Sequence, residues 1–572
     1  MQIVAGLGRW RRWVFLGLII LFVVFVRVRL SEFPLERDEG EYAYMGQLML
    51  QGIPPYLSAY NMKFPGTYAM YAIIMSIFGQ TIQGIHFGLM IVNCVTILLV
   101  FLLARKYVSE NAALAAGAAY ALLSLSSTVL GFAAHATHFV VLPTLGGVLL
   151  LLVALRDNKV HAYVLSGVLF GLALLMKQPG FFFFLFGATY IIYHHFFSAK
   201  DLMSEAPQVS LPLDPPLSSL NSRGEQRVVA SDHANSLKRL IFNLFTFAAG
   251  GVAPLFITVV FLYAAGAFDK FWFWTIEYAS EYATQIPESG VLGAFYESVS
   301  EVTEGFLFLW IMAISGLIVM FSYKGMRGRR FFIALFAFFS FLTICPGFHF
   351  RRHYFITLLP AIALLIGVFV DWADFRAAAL LKTKQMKFIG IGIFLLSAGV
   401  GIAAQRSYLF EENPMKLPAI IYGENPFPES LAISRFIKSQ SAETDRVAVF
   451  GSEPQIFFYS KRHSATGYIY VYGLMESHPY AMQMQKEMIR EVESSNPKFI
   501  VVVVIATSWL MRSGSEKYIL GWLNRYIRDN YTLVGLADII SPDLTIYRWH
   551  RDSREYAIRS RHHVLVYQNS RE

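Results

Sequence analysis

The sequence predicts a mostly α-helical protein: a polytopic membrane helical bundle followed by a C-terminal extracytoplasmic α/β domain. Three observations support this fold class. The chain of 572 residues is 55% hydrophobic and 15% charged, whereas about 25% of the residues of a soluble domain are charged. Long apolar runs recur through residues 1–405, separated by short charged loops. Beyond residue 408, helical stretches alternate with β-branched runs such as "KFIVVVV", which is typical of an α/β domain.

Charge and cysteine content exclude two other classes of protein. The net charge is +9, but Lys and Arg are scattered among loops and form no basic patch with interleaved aromatic residues. Membrane topology therefore explains the charge better than binding to nucleic acid does. Cys94 and Cys345 form neither a CxxC pair nor a disulfide framework, and we interpret both as inert thiols.

Apolar runs long enough to cross a hydrocarbon core of about 30 Å predict about eleven membrane spans. Their centres lie near residues 21, 95, 120, 147, 169, 188, 252, 313, 338, 363 and 396. The first run follows "RWRRW" and has no small-residue cleavage site after it, so we expect a retained helix. With this basic N-terminus in the cytoplasm, every second loop is cytoplasmic and basic, as the positive-inside rule requires. The odd number of spans then places the C-terminal domain outside.

These boundaries predict two domains. Residues 1–407 form the transmembrane module, and residues 408–572 form the outer α/β domain. Within the module, residues 31–85 are the first external loop, and the Ser- and Pro-rich segment 198–237 is a cytoplasmic linker that we expect to be disordered. The stretch "VAVFGSEPQ" of the outer domain lacks a dinucleotide or P-loop motif, so packing or handling of an acceptor is favoured over nucleotide binding.

The first external loop contains two predicted short helices. Four apolar residues precede Gly52 at helical spacing, namely Tyr42, Met45, Leu48 and Met49. This pattern predicts a helix that lies in the membrane interface with its apolar stripe toward lipid, and a second helix is expected over residues 65–79. Asp38 and Glu39 lie at the start of the first helix, where the dipole favours carboxylates, so helix capping is one interpretation of this pair.

Motifs in four stretches resemble those of GT-C-fold glycosyltransferases, the group that contains protein O-mannosyltransferases and the aminoarabinose transferase of lipid A. The first external loop carries them in the family's order: "DEGEY" at 38–42, "GIPPY" at 52–56, "KFP" at 63–65 and "FG" at 78–79. "GLALLMKQPG", beginning at residue 171, resembles the family's Gly-Leu-Ala-x-x-x-Lys-x-Pro turn, and "HFRRHYFITLLP", beginning at 349, resembles its basic-aromatic segment. "VAVFGSEPQIFFYSKRHSATGYIY" resembles the outer domain of bacterial members.

The resemblance, which reaches from residue 1 to about residue 505, implies a GT-C-like catalytic module in the bacterial inner membrane. It implies transfer of a sugar from a polyprenyl-phosphate donor to a hydroxyl of a lipid, glycan or protein acceptor on the outer face, with inversion. Such an attack needs a carboxylate that accepts the hydroxyl proton. The resemblance assigns this role to Asp38, with Glu39 orienting the site.

Cationic side chains would stabilise the departing lipid phosphate. Under the positive-inside rule, Lys and Arg on the outer side are exceptions, and those inside the family motifs are the predicted phosphate ligands: Lys63, Lys177, Arg351 and Arg352. Their alternative role is to reach the lipid headgroups from helix ends, which fits Arg27 and Arg29. The motif residues Tyr42, His353 and Tyr354 complete the predicted substrate-binding set.

His135 and His138 lie on the outer side, where many family members have an acidic residue. The two can share one helical face, and hydrogen bonding to sugar or phosphate is favoured over a metal site because two histidines alone do not define one. No cofactor is required by the motifs, and a divalent cation stays open. The aromatic segment 268–290 is either an interfacial belt or a surface for sugar stacking.

Two other functions remain as alternatives. A transporter or lipid flippase would have inverted repeats and ionisable residues deep in its spans, whereas here the unusual charges cluster on the outer side. A non-catalytic envelope-assembly subunit would differ from an enzyme in that it would not turn over any polyprenyl-phosphate sugar.

Overall fold

The computed structural model describes residues 2–204, 222–381, 388–411 and 413–571, so the centre of the predicted linker lies outside the described residues. The longer helices of the first part are Gln2–Arg29 (α1), Arg37–Leu50 (α2), Gly66–Phe78 (α3), Ile82–Ala104 (α4), Glu110–Leu125 (α5), Ala136–Asp157 (α6), Val160–Met176 (α7), Phe181–Ser204 (α8), Ser222–Ala264 (α9), Val291–Glu304 (α10), Leu307–Ser322 (α11), Arg330–Leu342 (α12), Leu359–Leu381 (α13) and Ile389–Ala404 (α14).

The predicted membrane helical bundle is confirmed, and every predicted span centre falls inside one of these helices. By length and composition, four described helical segments can cross a membrane. They are α4, α6, the segment Gln178–Phe197, which includes most of α8, and the segment Asn235–Ala264 of α9. The pair α10 and α11, bent by 113°, adds a fifth if it forms one span, and α7, α12 and α14 are apolar but shorter. The total of about eleven spans stays a prediction.

Both helices expected in the first external loop are present as α2 and α3, but the apolar stripe of α2 does not face lipid. Tyr42, Met45 and Leu48 are each at most 3% exposed, because α2 packs between α3 and the short helix Gln455–Ser460 of the outer domain. Helical periodicity reveals a buried face but not what covers it. On α3, by contrast, an apolar side chain does lie on the surface of the protein, since Ile77 is 67% exposed.

Arg27 does not reach a headgroup layer as expected; it is buried at the end of α1. Its guanidinium donates hydrogen bonds to Asn93 Oδ1 at 3.2 Å and to the carbonyls of Ser124 and Gly131 at 3.3 and 3.1 Å. These bonds join α1 to α4 and to the turn between α5 and α6. Arg27 therefore positions the segment that leads into His135.

The outer domain is the predicted α/β domain. Its strands are Arg446–Phe450 (β1), His463–Ser464 (β2), Phe499–Val504 (β3), Tyr531–Ser541 (β4), Leu544–Trp549 (β5) and His563–Asn569 (β6), and its longer helices are Phe427–Ser439 (α15), Ala481–Ser495 (α16) and Tyr518–Asn530 (α17). The sheet order is β2-β1-β3-β6-β4-β5, with β1 parallel to β2 and β3, and β6 antiparallel to β3 and β4.

The aromatic segment 268–290 joins the two parts of the molecule rather than forming an exposed belt. Trp274 and Tyr278 are buried in a hydrophobic cluster with residues of the outer domain, and Tyr60 of the first external loop joins them there. Tyr60 N–H also donates to the Gly467 carbonyl at 2.7 Å. The outer domain is thus packed directly on the loop that carries the predicted catalytic residues.

Candidate active site

Helix α2 begins with a capping box that fixes the position of Asp38. The side chain of Glu36 accepts a hydrogen bond from Glu39 N–H at 2.9 Å, and Glu39 in turn accepts one from Glu36 N–H at 3.5 Å. This reciprocal pair satisfies backbone donors that a helix start leaves without partners. Asp38 consequently lies in the first turn of α2.

The two oxygens of Asp38 have different surroundings. Oδ1 accepts hydrogen bonds from Lys63 Nζ at 2.8 Å and from the Tyr470 hydroxyl at 3.2 Å. Oδ2 lies 3.8 Å from His135 Nδ1 and 3.9 Å from His353 Nε2, beyond hydrogen-bond length. One oxygen is therefore held in place, while the other faces two imidazole rings.

Asp38 is ionised at any physiological pH. Burial raises the pKa of this carboxyl, but Lys63 and the neighbouring rings of His353 and His135 outweigh burial and hold the pKa well below its usual range. The opposite holds for His135, where burial lowers the pKa to about 4 although Asp38 and Glu39 act to raise it. The site thus combines a charged carboxylate with a neutral imidazole.

Lys63, a predicted phosphate ligand, is bound by two carboxylates. Besides Asp38, its ammonium donates to Glu41 Oε2 at 2.7 Å and lies 4.7 Å from the centre of the Tyr42 ring. Tyr68 donates its hydroxyl hydrogen to Glu41 Oε1 at 2.7 Å. Burial raises the pKa of Glu41 to about 7, against the effect of Lys63. Sequence analysis missed Glu41, although its spacing of three from Asp38 places both on one side of α2.

His135 pairs with His353 rather than with His138. The rings of His135 and His353 stack with centroids 4.2 Å apart and planes inclined by 14°. Neither ring nitrogen of His135 has a hydrogen-bond partner, although the residue is only 2% exposed. His138 is equally buried and unpartnered, but it lies outside the group formed with Asp38.

Glu39 acts on the backbone that precedes His135. Its Oε1 accepts a hydrogen bond from Ala134 N–H at 2.6 Å and lies 3.1 Å from His86 Nε2. The side chain of Glu39 is fully buried. Its contacts hold the turn that precedes His135.

Lys177 has no anionic partner in the part of the chain that the structure describes. It terminates α7, and its ammonium lies 3.6 Å from the centre of the Tyr354 ring, a cation–π contact. Burial lowers the pKa of Lys177 to about 7, with Asp38 acting to raise it and Lys63 to lower it. A phosphate placed beside this amine would gain a cation that no carboxylate has neutralised.

Arg351 and Arg352 point to different partners. Arg352 Nε lies 3.6 Å from Glu301 Oε2 of α10 and a terminal nitrogen donates to the Ile421 carbonyl at 3.5 Å. Arg351 is more exposed and interacts with the hydroxyls of Tyr282 and Tyr354. Of the two, Arg351 is the cation without a carboxylate within 4 Å among the described residues.

The outer domain supplies parts of the site that sequence analysis did not find. Arg37, next to Asp38, donates two hydrogen bonds to Glu453 Oε1 at 3.1 and 2.7 Å, and Ser508 donates to Glu453 Oε2 at 2.6 Å. Tyr470, which contacts Asp38, comes from the same domain. These contacts join residues more than 400 positions apart, and no local pattern indicates them.

Three side chains of this pocket form a donor set that fits a divalent metal ion. Asp38, His135 and His353 each offer one ligand atom, and the three atoms lie within 4.8 Å of one another. Two imidazoles and a carboxylate are accepted by zinc and by other divalent transition metals. The unpartnered nitrogens of His135 suit this chemistry, so the cation left open by the sequence has a suitable place here.

Comparisons with known proteins agree with the resemblance. Residues 63–210, about a quarter of the chain, match the family of dolichyl-phosphate-mannose-protein mannosyltransferases. The fold is similar to that of ArnT from Cupriavidus metallidurans bound to undecaprenyl phosphate, with a TM-score of 0.56, 14% identity and coverage of 97% of this chain and 98% of that chain. No curated protein gives a significant sequence match.

A second solved structure has the same fold. The apo oligosaccharyltransferase of Archaeoglobus fulgidus superposes with a TM-score of 0.50 at 14% identity, covering 94% of this chain and 74% of that chain. Together these findings confirm the GT-C fold and the resemblance to GT-C-type glycosyltransferases. They also agree with the membrane location that the apolar helices indicate.

Proposed function

We propose that the protein is an integral-membrane glycosyltransferase that moves a sugar from a polyprenyl-phosphate donor to an acceptor hydroxyl on the outer face of the membrane, with inversion. The family match over residues 63–210 supports the reaction class. The shared fold with ArnT, which was solved with undecaprenyl phosphate, supports the donor class. A lipid, a glycan and a protein hydroxyl all suit this chemistry as acceptors.

The observation that carries the proposal is the asymmetry of Asp38. Lys63 and Tyr470 hold Oδ1, which leaves Oδ2 to accept the proton of the acceptor hydroxyl. Because its pKa is low, Asp38 is a weak base, so the proton moves only as the hydroxyl oxygen bonds to the anomeric carbon and becomes acidic. The neutral His135 and His353 are placed to hydrogen-bond the acceptor beside Oδ2.

The bond between the anomeric carbon and the phosphate oxygen breaks on the opposite face of the sugar. Negative charge then grows on the lipid phosphate, and preorganised cations stabilise it. Lys177 takes this role because no carboxylate pairs with its ammonium in the described part of the chain. Lys63 and Arg352 act through their partners Asp38 and Glu301. Polyprenyl phosphate is the leaving product.

A divalent cation would be held by Asp38, His135 and His353. When bound, it would supply positive charge to an oxygen of the substrate.

The test is transfer by the purified full-length protein with a panel of radiolabelled polyprenyl-phosphate monosaccharides and cell-envelope material. We expect one label to be transferred, and Asp38→Asn to reduce the rate at least ~100-fold at normal protein level, the usual scale for loss of a general base. Asp269→Asn, at an exposed carboxylate of the outer side, is the matched control. Full activity of Asp38→Asn would remove Asp38 from the mechanism.

A further inference from the structure

A second polar cluster lies beside the pocket, in the segment that joins α12 to α13. Gly347, Phe348 and Phe350 have φ angles of 69°, 53° and 44°. Bulky side chains rarely adopt this left-handed region, and such backbone persists where the surroundings impose it, often at functional sites. The unusual backbone of Phe348 sets the direction of His349, and that of Phe350 sets the direction of Arg351.

Side chains from three segments meet at this cluster. The His349 ring stacks on Tyr282, with centroids 4.5 Å apart and planes inclined by 25°. Three residues after Tyr282, Gln285 Oε1 accepts a hydrogen bond at 3.0 Å from Arg512 of the outer domain. The Gln285 amide nitrogen is buried and has no hydrogen-bond partner.

The cluster contains donors and positive charge without a compensating anion. Neither Arg351 nor Arg512 has a carboxylate within 4 Å in the described ranges. Burial and the charges of Arg351 and Arg512 lower the pKa of His349 to about 4, although a hydrogen bond to the Tyr282 carbonyl acts to raise it. Glu476 is a buried carboxylate that acts to raise the pKa of Tyr282. It already accepts a hydrogen bond from the Tyr278 hydroxyl at 2.5 Å.

The cluster is one aromatic layer away from Asp38. Tyr472 packs against Tyr470, the residue that contacts Asp38, with ring centroids 5.4 Å apart. The charge of Asp38 acts to raise the pKa of the Tyr472 hydroxyl, and the charge of Arg351 acts to lower it. Tyr472 therefore lies close both to the Asp38 site and to the cluster.

We propose that Gln285, His349, Arg351 and Arg512 form a subsite that binds a phosphate group carried by the acceptor. Two guanidinium groups and an unpartnered amide donor match the oxygens of a phosphate. Lys177 directly follows the apolar helix α7, whereas Arg512 belongs to the outer domain, so the donor phosphate and the acceptor phosphate would have separate ligands. The proposal rests on the proposed function and names a class of acceptor for it.

The test compares two phosphates on the purified full-length protein. Glycerol 3-phosphate is the water-soluble probe, and undecaprenyl phosphate is the lipid probe. We expect Arg512→Gln to weaken binding of glycerol 3-phosphate ~10-fold or more, the scale of a lost charge-assisted hydrogen bond, and to change binding of undecaprenyl phosphate less than about twofold. We expect Lys177→Ala to weaken binding of undecaprenyl phosphate and to leave binding of glycerol 3-phosphate nearly unchanged. Arg525→Gln, at an exposed arginine of the same domain, is the control that leaves both unchanged.

The proposal would be overturned if the unsubstituted protein did not bind glycerol 3-phosphate, or if Arg512→Gln bound it with unchanged affinity. Loss of undecaprenyl phosphate binding in Arg512→Gln would also overturn it, because the cluster would then belong to the donor or to lipid headgroups. Retained lipid binding shows that the variant is folded. Failure of sugar transfer would refute the proposed function without altering these binding constants, so the two failures are distinguishable.

Discussion

Lys63 and Lys177 are identical side chains that the fold places in opposite electrostatic surroundings. Burial lowers the pKa of Lys63, but Asp38 and Glu41 outweigh burial and raise it well above its ordinary value. Lys177 lacks such partners, and burial lowers its pKa to about 7. Lys63 is thus permanently charged, whereas the charge of Lys177 depends on pH and on what binds beside it.

This difference predicts how donor binding depends on pH. Below a pH of about 7 Lys177 is already protonated, and above it the binding of a phosphate must also take up a proton. Affinity for undecaprenyl phosphate should therefore fall as the pH rises, by up to about tenfold per unit. Equilibrium binding between about pH 6 and 9 measures this slope. In Lys177→Arg, whose side chain stays charged, the slope should be smaller; an equal slope in both proteins would contradict the assignment.

Tyr470 is predicted to orient Asp38 rather than to bind a substrate. Tyr470→Phe removes one of two hydrogen bonds to Oδ1, so we expect kcat to fall roughly fivefold, the net worth of one hydrogen bond, with KM for the acceptor unchanged. Steady-state kinetics of the transfer reaction provide the measurement. Tyr468→Phe, which loses a hydrogen bond to Glu487 in the same domain, is the control, and an equal loss there would reduce the role of Tyr470 to folding.

At this scale, family motifs led to Asp38, Lys63 and Lys177, and the structure brings these residues together. Motifs did not reveal that Lys63 is neutralised by Glu41 or that Tyr470 reaches Asp38, because both depend on distances between side chains. The pairing of His135 with His353 was missed for the same reason. Spacing of three residues suggested a pair with His138, which is not part of the group formed with Asp38.

Among the elements, helix α2 depends on the outer domain through a buried ion pair. The side chains of Arg37 and Glu453 are 11% and 0% exposed. Replacing one partner leaves the other charge uncompensated, so Arg37→Met should destabilise the protein by about 3–5 kcal/mol. The double variant Arg37→Met/Glu453→Gln should recover part of this loss. The melting temperature in detergent measures both effects.

Arg528 and Asp529 are the matched control for that prediction. Their ion pair lies on the outer domain with side chains 73% and 58% exposed, and exposed pairs contribute about 0–1 kcal/mol. Arg528→Met should therefore leave the melting temperature nearly unchanged. Equal shifts in Arg37→Met and Arg528→Met would show that the buried pair does not join α2 to the outer domain.

Among the elements, apolar runs predicted a helix at every span centre, and the β-branched run "KFIVVVV" predicted β3. The direction in which α2 faces was not predictable. Its apolar stripe has the same period whether lipid or protein covers it, and one of the two elements that cover α2, the helix Gln455–Ser460, lies some 400 residues later in the chain.

For the whole molecule, the distribution of Lys and Arg predicts the orientation in the membrane. A periplasm-dependent phosphatase fused after residue 571 should be active, and one fused at residue 158 should be inactive, because the positive-inside rule places the loop at 156–159 in the cytoplasm. Enzyme activity in intact cells is the measurement. The reverse pattern would place Asp38 on the cytoplasmic side and refute the outer-face reaction.

Composition and hydropathy were sufficient to predict the division of the molecule into a helical bundle and an α/β domain. They did not predict how the two meet. That contact depends on side chains such as Tyr60, Gly467 and Trp274, whose burial becomes apparent only after the chain has folded.

The close approach of Gly40 to Gln455 limits how this protein can be recombined with its relatives. A Cβ atom at position 40 would lie 2.6 Å from the Gln455 backbone nitrogen, so α2 and the outer domain fit as a matched pair. A chimaera that exchanges residues 408–572 alone would therefore unite two mismatched surfaces. Exchange of residues 31–85 together with the outer domain would preserve this fit.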